Sequence, residues 1–256
     1  MLIIDEKIFT GPEFDICYDE KSEEARRLAQ ELTTTHSFPP LAERLVVVLG
    51  GDGTMLEAAH HYNFEPVFLG VNCGHRGFLL NDSDIIFGGR LMQIHEFPLL
   101  EIESDNGWRD LAMGDVYFNR ITGKACKVKV SIDGAVIAER IVGDGIVIST
   151  PLGSGGYFVP AGGSALHPKL QVIAFAPIVR NTPFQIMSMV FPLTSALEVE
   201  LLSPPEEVKG WYDGLELPHF KQIKVRKAEK TLKLAFQRGE DFTARLVSKI
   251  MKVKEG

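Results

Sequence analysis

The sequence predicts an α/β domain over residues 1–96, with a C-terminal return over 239–256, joined to a β-rich domain over 97–238. Three observations predict it. In the first part, short continuous apolar runs alternate with helix-like stretches, the pattern of parallel strands covered on both faces. From about Phe97 the apolar residues alternate instead, as antiparallel strands with one buried face require. At 256 residues the chain also stands near the size at which one core stops growing, so two coupled domains fit. No long flexible linker interrupts it, and a cleft is expected where the two domains pack.

Taken in order, Phe14 to Tyr18 reads as a strand and Ser22 to Leu32 as an amphipathic helix. Leu45-Val46-Val47-Val48-Leu49 is a buried parallel strand that ends in Gly50-Gly51-Asp52-Gly53, where a helix starts. Thr54 and Glu57 stand at the spacing of a capping box for that helix. Val67-Phe68-Leu69-Gly70-Val71 repeats the pattern and runs into Asn72-Cys73-Gly74-His75-Arg76-Gly77. In the second part, Lys127 to Ile132 is apolar on one face, and Asp133-Gly134 is a hairpin turn before Ala135 to Ile141. A glycine-rich segment, Pro151 to Gly163, precedes further apolar stretches and a second Asp-Gly turn at Asp213-Gly214. Lys221 to Lys233 carries six cations and reads as a solvated strand pair with alternating exposed lysines rather than a binding patch.

Composition narrows the function. With 27 Lys+Arg against 34 Asp+Glu the net charge is −7, which disfavours nucleic acid or an anionic membrane as partner. The chain is 45% hydrophobic and 24% charged, an ordinary globular balance. Cys17, Cys73 and Cys126 form neither a disulfide framework nor a metal-ligand set, so a cytoplasmic location is expected. Asp5 and Glu6 interrupt the start of the chain, so no export signal is expected. Arg180 and the prolines at 177, 183 and 192 spoil the one weakly charged stretch as a membrane span. Asn81-Asp82-Ser83 fits a glycosylation sequon and is read as a chance match.

The chemistry lies in the glycine loops. A strand-loop-helix with Gly50, Gly51 and Gly53 suits phosphate binding, because glycines admit an anion to the backbone and a helix start offers unpaired amides. Asp52 within it either holds a magnesium ion, accepts a proton from a hydroxyl nucleophile, or shapes the turn. Neither a lysine-bearing P-loop nor a Gly-x-Gly-x-x-Gly fingerprint is present.

Gly50-Gly51-Asp52-Gly53-Thr54 resembles the signature shared by NAD kinases, 6-phosphofructokinases and the diacylglycerol and sphingosine kinases. A second segment, Gly143-Asp144-Gly145 through Thr150-Pro151-Leu152-Gly153-Ser154-Gly155-Gly156-Tyr157, followed by Ala161-Gly162-Gly163 and His167-Pro168, resembles the NAD kinase core motif. Gly70-Val71-Asn72 with Gly74 to Leu79 is similar to a third segment of that family, and the resemblance spans about Phe14 to Ile250.

The resemblance implies an NAD kinase-like fold with NAD between the two domains. It also implies transfer of a phosphoryl group from ATP, or polyphosphate, to the adenosine-ribose 2′-hydroxyl of NAD, giving NADP. Asp52 matches the general base, Mg2+ would neutralise the donor phosphates, and Gly50, Gly51 and Thr54 form the phosphate loop. With no lysine in that loop, its amides and the ion are expected to carry the electrostatic work. The nucleotide-binding positions implied are Gly53, Phe78, Gly114, Asp115, Asp144, Gly155, Gly156, Tyr157 and Asp213. Phe78 reads equally as core, and Asp144 and Asp213 also read as turn residues. His75 and Arg76 are candidate phosphate contacts or surface residues. A homo-oligomer, dimer or tetramer, is implied by the resemblance alone.

Several positions depart from the family pattern. Gly114 replaces the Asn of an Asn-Glu pair whose acidic half is Asp115, Gly155 replaces a Thr that bonds adenine, and Val142 stands where an Arg is frequent. These losses leave two alternatives to an NAD kinase: a kinase of the same fold acting on another nucleotide or nucleoside, and a non-catalytic nucleotide-binding sensor.

Overall fold

The computed structural model of the chain describes residues 14–34, 44–74, 77–86, 91–180 and 187–251. The elements run β1 (Phe14–Tyr18), α1 (Glu23–Thr34), β2 (Leu45–Gly50), α2 (Asp52–His61), β3 (Val67–Asn72), β4 (Met92–Ser104), β5 (Arg109–Ala112), β6 (Asp115–Arg120) and β7 (Cys126–Ile132). They continue with β8 (Ala135–Ser149), β9 (Val172–Arg180), β10 (Met189–Pro192), β11 (Leu197–Leu201), β12 (Val208–Tyr212), β13 (Leu215–Glu216), β14 (Gln222–Gln237) and α3 (Phe242–Met251). Two compact units result: Met1–Phe97 with Thr231–Gly256, and Pro98–Lys230. Among the described residues no helix is long and apolar enough to cross a membrane.

The first unit is a parallel sheet ordered β1, β2, β3, β14. All six residues of β2 are buried, as its unbroken apolar run requires of a strand covered on both faces. One face packs on α1 through Ala25, Leu28, Ala29 and Leu32. At the centre, Asn81 is 2% exposed and joins β3 to β14. Its amide donates to the carbonyls of Gly70 at 3.0 Å and Ala235 at 2.9 Å, and its Oδ1 accepts the Gln237 N–H at 3.0 Å. The asparagine of the chance sequon is thus a buried staple between β3 and β14.

The second unit is antiparallel. β8 pairs with β7, β6 and β9, and β12 adds to β6. Alternation on β7, where Cys126, Val128, Val130 and Ile132 are buried, supplies the core with Phe118, Ile146, Ile148 and Phe175. Both Asp-Gly pairs turn as their composition demands: Asp133 and Gly134 have φ of 50° and 82°, Asp213 and Gly214 of 47° and 85°. Positive φ at both central residues is the hairpin geometry that matches the twist of the flanking strands.

Two expectations are corrected. Thr54 is the third residue of α2, not its cap: the helix begins at Asp52, and the Thr54 hydroxyl reaches back to accept the Gly51 N–H at 3.3 Å. The cationic stretch is not a strand pair but part of one strand, the 16-residue β14, because no Gly, Pro or Asx residue interrupts its alternation.

Candidate active site

β2 ends at Gly50 and α2 starts at Asp52, so the carboxylate stands at a helix N-terminus, where the dipole favours negative charge. Gly50 owes its identity to packing: a Cβ there would lie 2.4 Å from Thr54 Oγ1. A Cβ at Gly51 or Gly53 would meet no protein atom within 4 Å, so these two glycines face open space. Asp52 is held at both oxygens. Oδ1 accepts the Leu79 N–H at 2.8 Å, and Oδ2 accepts from Lys249 Nζ at 3.1 Å.

Lys249 comes from α3, 197 residues along the chain. Its ammonium also lies 4.8 Å from the ring centroid of Phe78, a cation–π contact. One turn earlier, Arg245 pins the loop that carries Phe78, donating to the carbonyls of Gly77, Phe78 and Leu80 while its other nitrogens hold Glu240 at 2.7–2.8 Å. Asp52, Asn72, Phe78, Asp82, Arg245 and Lys249 thereby line a cavity of about 400 Å³ within the first unit. Phe78 is 4% exposed, so it forms the cavity wall rather than a free stacking face. His75 and Arg76 lie outside the described residues.

A second cluster forms in the other unit. Asp213, 8% exposed, accepts three backbone N–H groups, from Met113 at 2.7 Å, Gly114 at 2.8 Å and Asp115 at 3.2 Å. Thr150 clasps the same segment from the other side, donating to the Met113 carbonyl at 2.7 Å and accepting the Gly153 N–H at 3.1 Å. The two loops pack backbone to backbone, since a Cβ at Gly153 would lie 2.2 Å from the Gly114 carbonyl oxygen. Gly155 is half-buried and Gly156 exposed in the turn that follows. Asp115 Oδ2 accepts the Tyr157 N–H at 3.4 Å, and the Tyr157 hydroxyl accepts from Asn119 Nδ2 at 3.2 Å. The Tyr157 ring meets Tyr117 edge-on at 4.9 Å, and Tyr117 stacks on Trp211 at 5.3 Å.

Asp144, on β8, is paired with Arg120 Nε of β6 at 2.6 Å, and this carboxylate raises the Arg120 guanidinium further above its ordinary range. The sequence reading marks an arginine as missing at Val142; the structure supplies one to Asp144 from the neighbouring strand.

Sequence reasoning located the first cluster's loop and the second cluster's glycines, but missed Lys249, Arg245, Arg120 and Asn119. The first two carried a legible signal, being cations one helical turn apart on an amphipathic C-terminal helix. The other two depend on strand register, with Asn119 opposite Gly145.

The chain is thus an α/β unit bearing a Gly-Gly-Asp-Gly-Thr loop at a strand-to-helix junction, followed in sequence by a β-rich unit. Residues 9–83 match the ATP-NAD kinase N-terminal domain and residues 114–236 the ATP-NAD kinase C-terminal domain. The NAD kinase of Clostridium beijerinckii is 32% identical over 223 residues, covering 81% of this chain and 78% of that protein. The NAD kinase of Rickettsia bellii is 26% identical over 245 residues, covering 91% and 95%. The crystal structure of an NAD kinase from Archaeoglobus fulgidus in complex with ATP has the same fold, with a TM-score of 0.75, 21% identity and coverage of 94% of this chain and 99% of that one. Yeast NADH kinase complexed with NADH gives a TM-score of 0.75 at 18% identity, covering 95% and 88%. The chain belongs to the NAD kinase family.

Proposed function

We propose that this chain is an NAD kinase that transfers a phosphoryl group from ATP, or from polyphosphate, to the adenosine-ribose 2′-hydroxyl of NAD, making NADP. The observation that carries the reading is the setting of Asp52. A secondary alcohol is a poor nucleophile, and a positioned carboxylate that takes its proton contributes about 10²- to 10⁴-fold. Asp52 is fixed by the Leu79 amide and Lys249, stands beside the cavity, and is adjacent to two glycines that leave the loop open. The acceptor oxygen bonds to the terminal phosphorus, the bridge to the rest of the donor breaks, and the hydroxyl proton passes to Asp52.

Magnesium fits this chemistry as a companion of the donor. Among the described residues no group of three or more His, Cys, Asp or Glu is placed to hold a metal ion. The cavity offers Asp52 and Asp82, and magnesium characteristically takes one or two carboxylates together with substrate phosphates. When bound it would neutralise charge on those phosphates.

In the second unit, Asp115, Asp144, Gly155, Gly156 and Tyr157 are the candidate nucleotide contacts. Asp213 serves them by holding the backbone of residues 113–115. Gly155 in place of Thr favours a second reading, a kinase of this fold with another nucleotide or nucleoside as acceptor. Purified protein with ATP, magnesium and a panel of acceptors separates the readings. NADP formed in step with ADP supports the first, ADP formed only with another acceptor supports the second, and binding without turnover supports a sensor. A cytoplasmic location accords with three free, buried cysteines. A homo-oligomer rests on the family resemblance and is checked by light scattering.

A further inference from the structure

The cavity beside Asp52 is walled by four acids, Asp52, Asp82, Glu240 and Asp241, and by two cations, Arg245 and Lys249. A polyanionic donor entering it meets net repulsion unless one cation turns toward it. Arg245 is committed, with its guanidinium divided between Glu240 and the carbonyls of residues 77, 78 and 80. Lys249 is not so committed. An ammonium has three N–H donors, and among the described residues Lys249 gives one hydrogen bond, to Asp52 Oδ2. Its side chain is 30% exposed, and the Phe78 ring beside it restrains the ammonium next to Asp52.

Resting on the kinase reading, we infer that Lys249 is the phosphate-binding lysine that the glycine loop lacks, its ammonium bridging Asp52 and an oxygen of the transferred phosphoryl group. A carboxylate oxygen has lone pairs for both the lysine and the acceptor hydroxyl, so the bridge and the base coexist. In the step itself the acceptor oxygen–phosphorus bond forms as the bond to the bridging oxygen of ADP breaks. The hydroxyl proton goes to Asp52, ADP leaves, and Lys249 keeps its protons throughout. The arrangement ties donor binding to the base, because one side chain touches both. It also gives α3 a catalytic purpose: Arg245 anchors the helix on the Phe78 loop, and the next turn delivers the charge.

The test compares K249M and K249R with the wild type, titrating ATP at saturating NAD and the reverse. K249M is expected to lower kcat/KM for ATP by about 10- to 100-fold, the effect of losing a hydrogen bond to a charged group. The KM for NAD stays within about twofold, because Lys249 touches the donor and the base but not the acceptor, and K249R restores most of the loss because the charge is kept. Wild-type kcat/KM for ATP in K249M, or a KM for NAD raised as much as that for ATP, overturns the assignment. A measurement on the wild type stands independent of folding: ATP should protect Lys249 from acetylation, read by mass spectrometry, and NAD alone should not. Labelling unchanged by ATP overturns the assignment as well. Calorimetry separates this inference from the kinase reading. A wild type that binds ATP yet makes no NADP defeats the reading, while weaker ATP binding by K249M still supports the lysine and unchanged binding removes it.

Discussion

Asp213 Oδ1 accepts the backbone N–H of Gly114 at 2.8 Å, and a Cβ at position 114 would lie 2.9 Å from that same oxygen. The glycine and the buried carboxylate are therefore one packing unit. An Asn at 114, which the family pattern places there, would displace the group that holds the loop.

Gly114→Ala is expected to destabilise by about 1–3 kcal/mol, the usual effect of forcing an atom into a filled site. Asp213→Ala should lose about 1–3 kcal/mol or more, since three backbone donors lose their acceptor. Because the alanine at 213 also removes the clash at 114, the double variant should cost less than the sum. Thermal unfolding of all three proteins checks this, and strict additivity would show that the two residues are not coupled.

Arg120 and Asp144 are each about one-third exposed, at 35% and 29%. Pairs of that exposure contribute little to stability, so Arg120→Gln should leave the melting temperature nearly unchanged. Its effect should fall on the nucleotide acceptor, as a changed KM with kcat preserved, if Asp144 contacts that substrate. A large loss of thermal stability with an unaltered KM would assign the pair to the fold instead.

Burial pushes the thiols of Cys17, Cys73 and Cys126 up to about 11 each. In the unfolded chain they ionise at about 8.5. Between these values the unfolded state binds fewer protons than the native one, so stability falls as pH rises. Stability should therefore be insensitive to these groups below about pH 8 and decline from there toward pH 11. Denaturant titrations across that range test it. Replacing the three cysteines by alanine should flatten the slope, and an unchanged slope would assign it to other groups.

Much of this was legible in the sequence, for physical reasons. Leu45 to Leu49 read as a strand covered on both faces, and Asp133-Gly134 as a tight turn. The Gly-Gly-Asp-Gly-Thr loop announced a strand-to-helix junction. Other relationships depend on how distant segments meet. Lys249 meets Asp52 across 197 residues, and although its place on an amphipathic helix was legible, its partner was not. Arg120 reaches Asp144 only because β6 and β8 align with Asn119 opposite Gly145. Thr54 was misplaced as a cap because a capping threonine and a threonine at the third helical position share one hydroxyl chemistry. The register is decided by Gly51, whose extended backbone caps the helix so that it starts at Asp52.

The central claim is that Asp52 takes the proton of the acceptor hydroxyl, and the most direct measurement is NADP formation by Asp52→Asn beside the wild type, with NAD binding followed in parallel. The substitution keeps size and shape but removes the basic oxygen. Turnover should fall by at least about 100-fold while NAD affinity stays within a few-fold. Equal turnover in the two proteins would contradict the account.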